Sequence, residues 1–370
     1  MQKRGPMNEV VSDRASRRVR LAHHVIELSD GHRVGISVGG RGIPMVFLHG
    51  LGLSRRSYLR LLSRVADLGF RVVAIDAAGH GETEDLPCAA DEFTDRTELV
   101  LRALDSLGID RAIFAGHSMG GRMTIQLAAV APDRVLAAIL FNPAAGSAFD
   151  AAISSVLHSP RQMLRAVAGA AYDMYRDPFA MKVGAIARYL RMARAVTMGH
   201  ALAPTGFTGA ARSLLRSGAC TTLLHTLRDR AIPTIVLHGE DDAIVPFENA
   251  CDIAEDANAT LYRVRGACHS WLIAKPAHGA DAVRQLLDGA LGEALRDLAP
   301  TLGIEDWRDV RAWDEVLIKP DARVREMCGR RVVLGYLERE RVEMNLVRRA
   351  VLQDVLAASA PRLLGHARPA

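Results

Sequence analysis

The stretch Arg111-Ala-Ile-Phe-Ala-Gly-His-Ser-Met-Gly-Gly-Arg122 decides how this chain folds. Its first five residues predict a short buried strand, and helix formers follow from Arg122 to Val130. Ser118 therefore falls on a tight strand-to-helix turn of the form G-x-S-x-G, which pushes its hydroxyl out of the sheet. Glycine is required on both sides of the serine, because bulky neighbours would collide with the reversing backbone. The pentapeptide also arises by chance in a chain with 31 glycines, so it needs partners elsewhere.

Composition limits the class of protein. With 370 residues, 49% of them hydrophobic, the chain can form one main domain with a large core and carry additions to it. The net charge of +5 does not indicate nucleic-acid binding, because 47 basic residues are interspersed with 42 acidic ones. Five scattered cysteines argue against disulfides or a metal site and fit a cytoplasmic protein. We expect neither a signal peptide nor a membrane span, since no apolar stretch is long enough for either.

Buried strands alternate with amphipathic helices along most of the chain. Arg20–Glu27 and His32–Val38 form a predicted hairpin, which six further strands follow. These six are Pro44–Leu48, Arg71–Ile75, Arg111–Ala115, Leu136–Phe141, Pro233–His238 and Thr260–Val264. Strands separated by helices indicate a parallel sheet with right-handed crossovers, so the predicted fold class is α/β.

The alternation of strands and helices is interrupted twice, and these interruptions divide the chain into regions. A polar lead over residues 1–19 precedes an α/β core over 20–146 and 231–297, and residues 147–230 predict an inserted helical cap. Residues 298–370 predict a C-terminal helical extension, because the charged segment Arg323–Ala358 carries an interrupted apolar stripe. The extension would pack on the main domain or on another subunit of a homo-oligomer. A solvated tail is an equally good interpretation of its end.

A serine hydroxyl needs a base within hydrogen-bond reach, and the base needs a carboxylate to hold its tautomer. Among 13 histidines, His269 follows the last predicted strand and so faces the carboxyl edge of the sheet, whereas His117 is expected to point away from the site. Asp242 follows the strand ending at His238 and is the predicted acid, with Asp241 as the substitute candidate. The predicted catalytic residues are Ser118, His269 and Asp242.

The oxyanion that forms on an attacked carbonyl needs two backbone N–H donors. One is assigned to Met119, directly after the serine, and the other to Leu51 in the loop after the strand Pro44–Leu48. A second loop, Asp76 with Gly79-His-Gly81, could be mistaken for a metal or acid/base site. Its aspartate precedes Ser118 in the chain, so we expect a structural role there.

Five segments in this order resemble the α/β-hydrolase superfamily, in its cap-bearing, serine esterase-like branch. They are Leu48-His-Gly50, Asp76-Ala-Ala-Gly-His-Gly81, Gly116-His-Ser-Met-Gly-Gly121, Gly239-Glu-Asp-Asp242 with Pro246, and Gly266-Ala-Cys-His269. The resemblance implies a mostly parallel eight-stranded sheet with helices on both faces, a cap inserted after the sixth strand, and a Ser118, His269, Asp242 triad without a cofactor or metal. Cys268 departs from it, because glycine is usual at that position. The segment beyond residue 298 has no counterpart in the common fold.

The function expected from these residues is hydrolysis of an ester or similar acyl bond through an acyl-enzyme. Acyl transfer, perhydrolysis and carbon–carbon bond hydrolysis stay open, because fold and triad do not fix the acceptor. A ligand-binding or scaffold protein that has lost turnover is the alternative from another class. An apolar small-molecule substrate is favoured by five methionines of the cap, although each could simply fill a gap between helices. These are Met163, Met174, Met181, Met192 and Met198.

Overall fold

A computed structural model of the chain describes residues 17–87, 92–151, 204–327, 331–333 and 341–351. Its main feature is one nine-stranded sheet, accompanied by a two-stranded ribbon. In chain order the strands are β1 Arg17–Val19, β2 Ala22–Glu27, β3 Arg33–Gly39, β4 Ile43–Leu48, β5 Phe70–Ile75, β6 Ala112–His117, β7 Val135–Phe141, β8 Thr234–Gly239, β9 Thr260–Val264, β10 Arg331–Val333 and β11 Met344–Arg348. All eight strands predicted from the sequence are present as β2 to β9.

The order of strands in the large sheet is β11-β9-β8-β7-β6-β4-β5-β3-β2. The six strands from β5 across to β9 are parallel, whereas β2, β3 and β11 run antiparallel to their neighbours. The central strands β4, β5 and β6 are buried along their whole length, which is why their sequences are almost uninterrupted apolar runs. The α/β-hydrolase architecture expected from the sequence is therefore confirmed.

Helices cover both faces of the sheet. Those described are α1 Leu59–Val65, α2 Phe93–Leu107, α3 Met119–Val130, α4 Pro204–Arg216, α5 Thr221–Asp229, α6 Phe247–Asp256, α7 Trp271–Ala274, α8 Pro276–Asp288, α9 Ala290–Leu298 and α10 Val310–Leu317. Three buried apolar clusters fill the spaces between these helices and the sheet. None of the described helices is both long enough and apolar enough to cross a membrane.

The C-terminal extension differs from its prediction. Beyond α9, its described residues contain one α-helix, α10, but Met344–Arg348 is a strand that pairs with β9, and Arg331–Val333 pairs with β1. The expectation of helix is wrong for these two stretches, because the edge of β9 and the short strand β1 each supply backbone partners that a helix pattern in the sequence does not reveal. The extension is also tied to the core, since Asp314 on α10 binds the buried Arg71 of β5 at 2.6 Å and 2.8 Å.

The predicted cap is described at residues 147–151 and 204–230, and the second of these ranges contains α4 and α5. Helix α5 packs against α3 and α6, and its Leu224 and Leu227 belong to one of the three buried clusters. Residues 152–203, with the five methionines of the predicted pocket, lie outside the described part of the chain.

Candidate active site

Ser118 occupies the turn between β6 and α3, with φ of 55° and ψ of −118°. A positive φ is strained for any residue with a Cβ, so the turn must be held by its surroundings. A methyl group on Gly116 would lie 2.1 Å from the Gly120 carbonyl oxygen, and one on Gly120 would lie 2.2 Å from that of Leu48. Both glycines are therefore required by close backbone contact, as the sequence predicted.

Hydrogen bonds to the serine backbone fix this strained conformation. The Ser118 N–H donates to the Phe141 carbonyl at 3.0 Å, and the Ser118 carbonyl accepts from Ala144 N–H at 3.0 Å. The same carbonyl accepts from Gly121 N–H at 2.9 Å, inside the first turn of α3. The end of β7 and the start of α3 thus hold Ser118 between them.

The structure brings Asp242 and His269 together. His269 lies in the loop between β9 and α7, and its Nδ1 is 2.8 Å from Asp242 Oδ2. Asp242 lies in the loop after β8, where its Oδ1 accepts the N–H groups of Ile244 at 2.9 Å and Val245 at 2.8 Å. Asp242, not the neighbouring Asp241, is therefore the acid that meets the imidazole.

The environment of Asp242 favours its charged form. Burial opposes ionisation, but the charge of His269 and hydrogen bonds from His238 and His269 outweigh it and hold the pKa of Asp242 below its ordinary value. His238 Nε2 lies 2.7 Å from the Val245 carbonyl and 3.4 Å from Asp242 Oδ2, so its N–H is given mainly to the carbonyl. A permanently ionised carboxylate is suited to stabilise an imidazolium.

His117, directly before Ser118, lies against His269 and does not point away from the site as predicted. The two ring centres are 4.9 Å apart, and His117 Nε2 is 2.8 Å from the His269 carbonyl oxygen. Burial lowers the pKa of His117 to about 3, so the ring is neutral and donates one N–H to that carbonyl. Its Nδ1 must then accept, and the Tyr58 hydroxyl lies 2.7 Å away as the donor. No motif or spacing in the sequence indicates this contact.

The loop after β4 runs past the serine. A methyl group on Gly50 would lie 3.3 Å from the Ser118 Cβ. His49 Nδ1 is 2.8 Å from the Gly50 carbonyl, and Gly52 N–H donates to His80 Nε2 at 3.3 Å. Burial lowers the pKa of His49 to about 4 and that of His80 to about 3, so two neutral rings hold the loop.

The two predicted oxyanion donors are Met119, which directly follows this serine, and Leu51, which directly follows Gly50 in the chain. Met119 is the first residue of α3, so its N–H has no acceptor inside the helix. Leu51 lies in the turn directly after Gly50, and its side chain is half-buried. Their role as a pair of donors to substrate stays a prediction.

The carboxylate of Asp76, by contrast, has a structural role. Its Oδ1 accepts from Arg55 N–H at 2.7 Å, its Oδ2 accepts from Glu82 N–H at 2.9 Å, and the buried Arg55 guanidinium forms an ion pair with it. These contacts connect the loop after β5 to the start of α1. Among the described residues, no cluster of His, Cys, Asp and Glu could hold a metal ion.

Comparison with known proteins agrees with this fold. Residues 43–276 match the family model described as alpha/beta hydrolase fold, which covers more than half of the chain. A Mycobacterium phage D29 protein named "putative non-heme haloperoxidase" is 40% identical over 269 residues, covering 71% of this chain and 94% of its own. The chain therefore belongs to the α/β-hydrolase family and is an enzyme of that family.

Two further similarities are more distant. A 2-hydroxy-6-oxononadienedioate/2-hydroxy-6-oxononatrienedioate hydrolase of Paraburkholderia phymatum is 26% identical over 263 residues, covering 67% of this chain and 87% of its own. Among solved structures, a thermophilic esterase from Thermogutta terrifontis matches with a TM-score of 0.57 at 21% identity, covering 72% of this chain and 98% of that one. The structural match supports the fold alone.

Proposed function

We propose that this protein is a serine hydrolase that cleaves an ester or related acyl bond through an acyl-enzyme intermediate. The observation that carries the proposal is the hydrogen bond of 2.8 Å between His269 Nδ1 and the buried Asp242 carboxylate. It is formed at the sheet edge that also carries the strained turn of Ser118, with φ of 55°. A binding protein would have no need of an ionised acid oriented against an imidazole beside such a serine.

In the proposed mechanism, the His269 Nε2 atom takes the Ser118 hydroxyl proton as the oxygen attacks the substrate carbonyl. Asp242 holds the tautomer in which Nε2 carries no proton and can accept one, and it stabilises the imidazolium. The imidazolium then protonates the leaving alcohol, and the acyl group stays on Ser118. A water molecule deprotonated by the same imidazole attacks the acyl-enzyme and releases the acid.

The negative charge on the tetrahedral oxygen would be stabilised by the N–H groups of Leu51 and Met119. Neutral His49 and His80, which bind the loop on either side of Leu51, would keep one of these donors in place. Loss of one such donor costs about 100- to 1,000-fold in kcat in related chemistry.

The acceptor of the acyl group defines a second candidate. The relative that is 40% identical is named a haloperoxidase, which favours attack on the acyl-enzyme by hydrogen peroxide, giving a peroxyacid in place of the acid. The relative that is 26% identical has the name of a hydrolase of an oxo-dienedioate. We place ester hydrolysis first, because water is the acceptor that needs no further binding site.

Three finer proposals accompany this function. Residues 147–230 form a cap that provides an apolar pocket for the acyl group. The protein acts in the cytoplasm on a small molecule without a cofactor. The extension beyond residue 298 contributes to a homo-oligomer as well as to the core.

The test is active-site labelling followed by turnover. A fluorophosphonate probe should label the wild-type protein and not Ser118→Ala, and p-nitrophenyl esters of increasing chain length should identify the preferred acyl group. Adding hydrogen peroxide to the same assay and trapping peroxyacid separates the two acceptors. Failure of the folded wild-type protein to label would refute the serine hydrolase.

A further inference from the structure

The turn Phe141–Ala144, at the end of β7, contacts more of the site than any sequence motif suggested. Its two ends hold the Ser118 backbone, as described above. Between them, Asn142 is fully buried with φ of 43°, a left-handed conformation that asparagine tolerates better than most residues. Its N–H donates to the Leu237 carbonyl at 3.0 Å, on the strand that leads to Asp242.

The orientation of the Asn142 side chain follows from its partners. Trp271 Nε1, which can only donate, lies 2.8 Å from Asn142 Oδ1. The amide nitrogen therefore faces the other way, where Asn142 Nδ2 lies 2.5 Å from Asp242 Oδ2. That oxygen is the one bonded by His269 Nδ1.

We propose that Asn142 is a positioning residue, whose amide shares Asp242 Oδ2 with His269 and fixes the carboxylate against the imidazole. The inference rests on the proposed serine hydrolase. With Ile244 and Val245 N–H bound to Oδ1, and with His238 Nε2 more distant at 3.4 Å from Oδ2, both carboxylate oxygens have donors that together define one orientation. Removing the amide allows the carboxylate to rotate and removes one neutral donor from Oδ2.

Loss of the Asn142 amide has a consequence that loss of packing alone would not have. A neutral donor at Oδ2 withdraws carboxylate charge from His269, and its removal leaves more of that charge to stabilise the imidazolium. The imidazole of His269 then becomes neutral only at a higher pH. The acid limb of the pH profile of kcat/KM therefore moves to higher pH. Among the described residues, titratable groups in contact with this pair include His238 on β8 and His117 on β6, and Asn142→Gly alters neither side chain.

The first experiment compares two asparagine-to-glycine variants. Asn142→Gly keeps the backbone unstrained, because glycine accepts positive φ. The matched control is Asn258→Gly, since Asn258 has φ of 50° and its amide bonds the Val351 backbone at the opposite edge of the sheet. We expect Asn142→Gly to lower kcat by about 10- to 100-fold with little change in KM, as for loss of one hydrogen bond to a charged group. The midpoint of the acid limb of its kcat/KM profile should rise by about half a pH unit or more. The control variant Asn258→Gly should change neither kcat nor this midpoint.

The second experiment needs no variant. The chain has five asparagines, so selective ¹⁵N labelling of asparagine gives five side-chain amide signals; they belong to Asn8, Asn142, Asn249, Asn258 and Asn345. One of them should shift with pH at the midpoint of the acid limb of kcat/KM. If none does, the proposal is overturned even where Asn142→Gly does not fold.

The outcomes separate the inference from the function on which it rests. If the wild-type protein is not labelled by a fluorophosphonate, the serine hydrolase is wrong and the inference falls with it. If the wild type is labelled but the acid limb of Asn142→Gly stays where it was, Asn142 only fills space, whatever the loss in kcat.

Discussion

Lowering the pH from 7 to 5 should destabilise the folded protein strongly, because three buried histidines around the site are held neutral. The pKa of His49 is lowered to about 4 and those of His80 and His117 to about 3, in each case chiefly by burial. In the unfolded chain a histidine has a pKa of about 6.5. Below that pH the unfolded state binds protons that the folded state excludes. Stability is therefore full above about pH 6.5 and falls as the pH drops toward 4.

The size of the effect follows from linkage. Each histidine whose pKa is depressed in this way lowers the free energy of unfolding by about 2 kcal/mol between pH 7 and pH 5. Three together give about 6 kcal/mol, which is comparable to the whole stability of an ordinary domain. Carboxylates titrate mainly below pH 5, so the histidines account for most of the change in the free energy of unfolding between pH 7 and pH 5.

Urea unfolding followed by tryptophan fluorescence at pH 7, 6 and 5 measures this loss. His80→Gln keeps an acceptor for Gly52 and a donor for the Ala78 carbonyl, and should remove about one third of the pH dependence. His32→Gln, at a ring that is not buried, should leave it unchanged. A wild-type loss below about 2 kcal/mol, or an identical pH dependence in His80→Gln, would refute the reasoning.

The remaining predictions concern charge and geometry. Asp314→Ala should lower the free energy of unfolding by about 3 to 5 kcal/mol, because it leaves the Arg71 guanidinium buried without its carboxylate; urea titration measures this, and a change below about 1 kcal/mol would contradict it. Asp242→Asn should lower kcat/KM by about 10,000-fold, whereas Asp241→Asn should stay within about threefold; the reverse order would reassign the acid. His117→Phe should lower kcat by about tenfold, since it leaves the His269 carbonyl without its donor; unchanged ester turnover would dismiss that contact.

Most of the sheet could be predicted because its strands are buried on both faces. Strands β4 and β7 contain no polar residue to confuse the pattern, and Arg71 is the one polar residue of β5. Strand β11 could not be predicted in this way. Over five residues, helical and strand periodicity both fit the apolar positions, and only the open edge of β9 decides between them.

For the site, chain order indicated the two loops that carry Asp242 and His269, because loops that follow neighbouring parallel strands meet at one edge, and spacing favoured Asp242 over Asp241. The supporting residues were not accessible to such reasoning. Asn142 meets partners 100 and 129 positions away, and its side chain is aimed by an indole that no motif connects to it. The orientation of the His117 ring likewise depends on Tyr58, which belongs to another element.

The pairing of β11 with β9 also bears on biosynthesis. A nascent chain that has reached Val264 presents β9 with one side unpaired until Met344 leaves the ribosome. A strand with unpaired backbone groups along one edge is a template for association with other chains, so we expect chaperones to protect the chain during this interval. If translation ended, or a protease cut the chain, before Met344, β9 would never gain β11 as its partner strand. We expect such a shortened chain to aggregate.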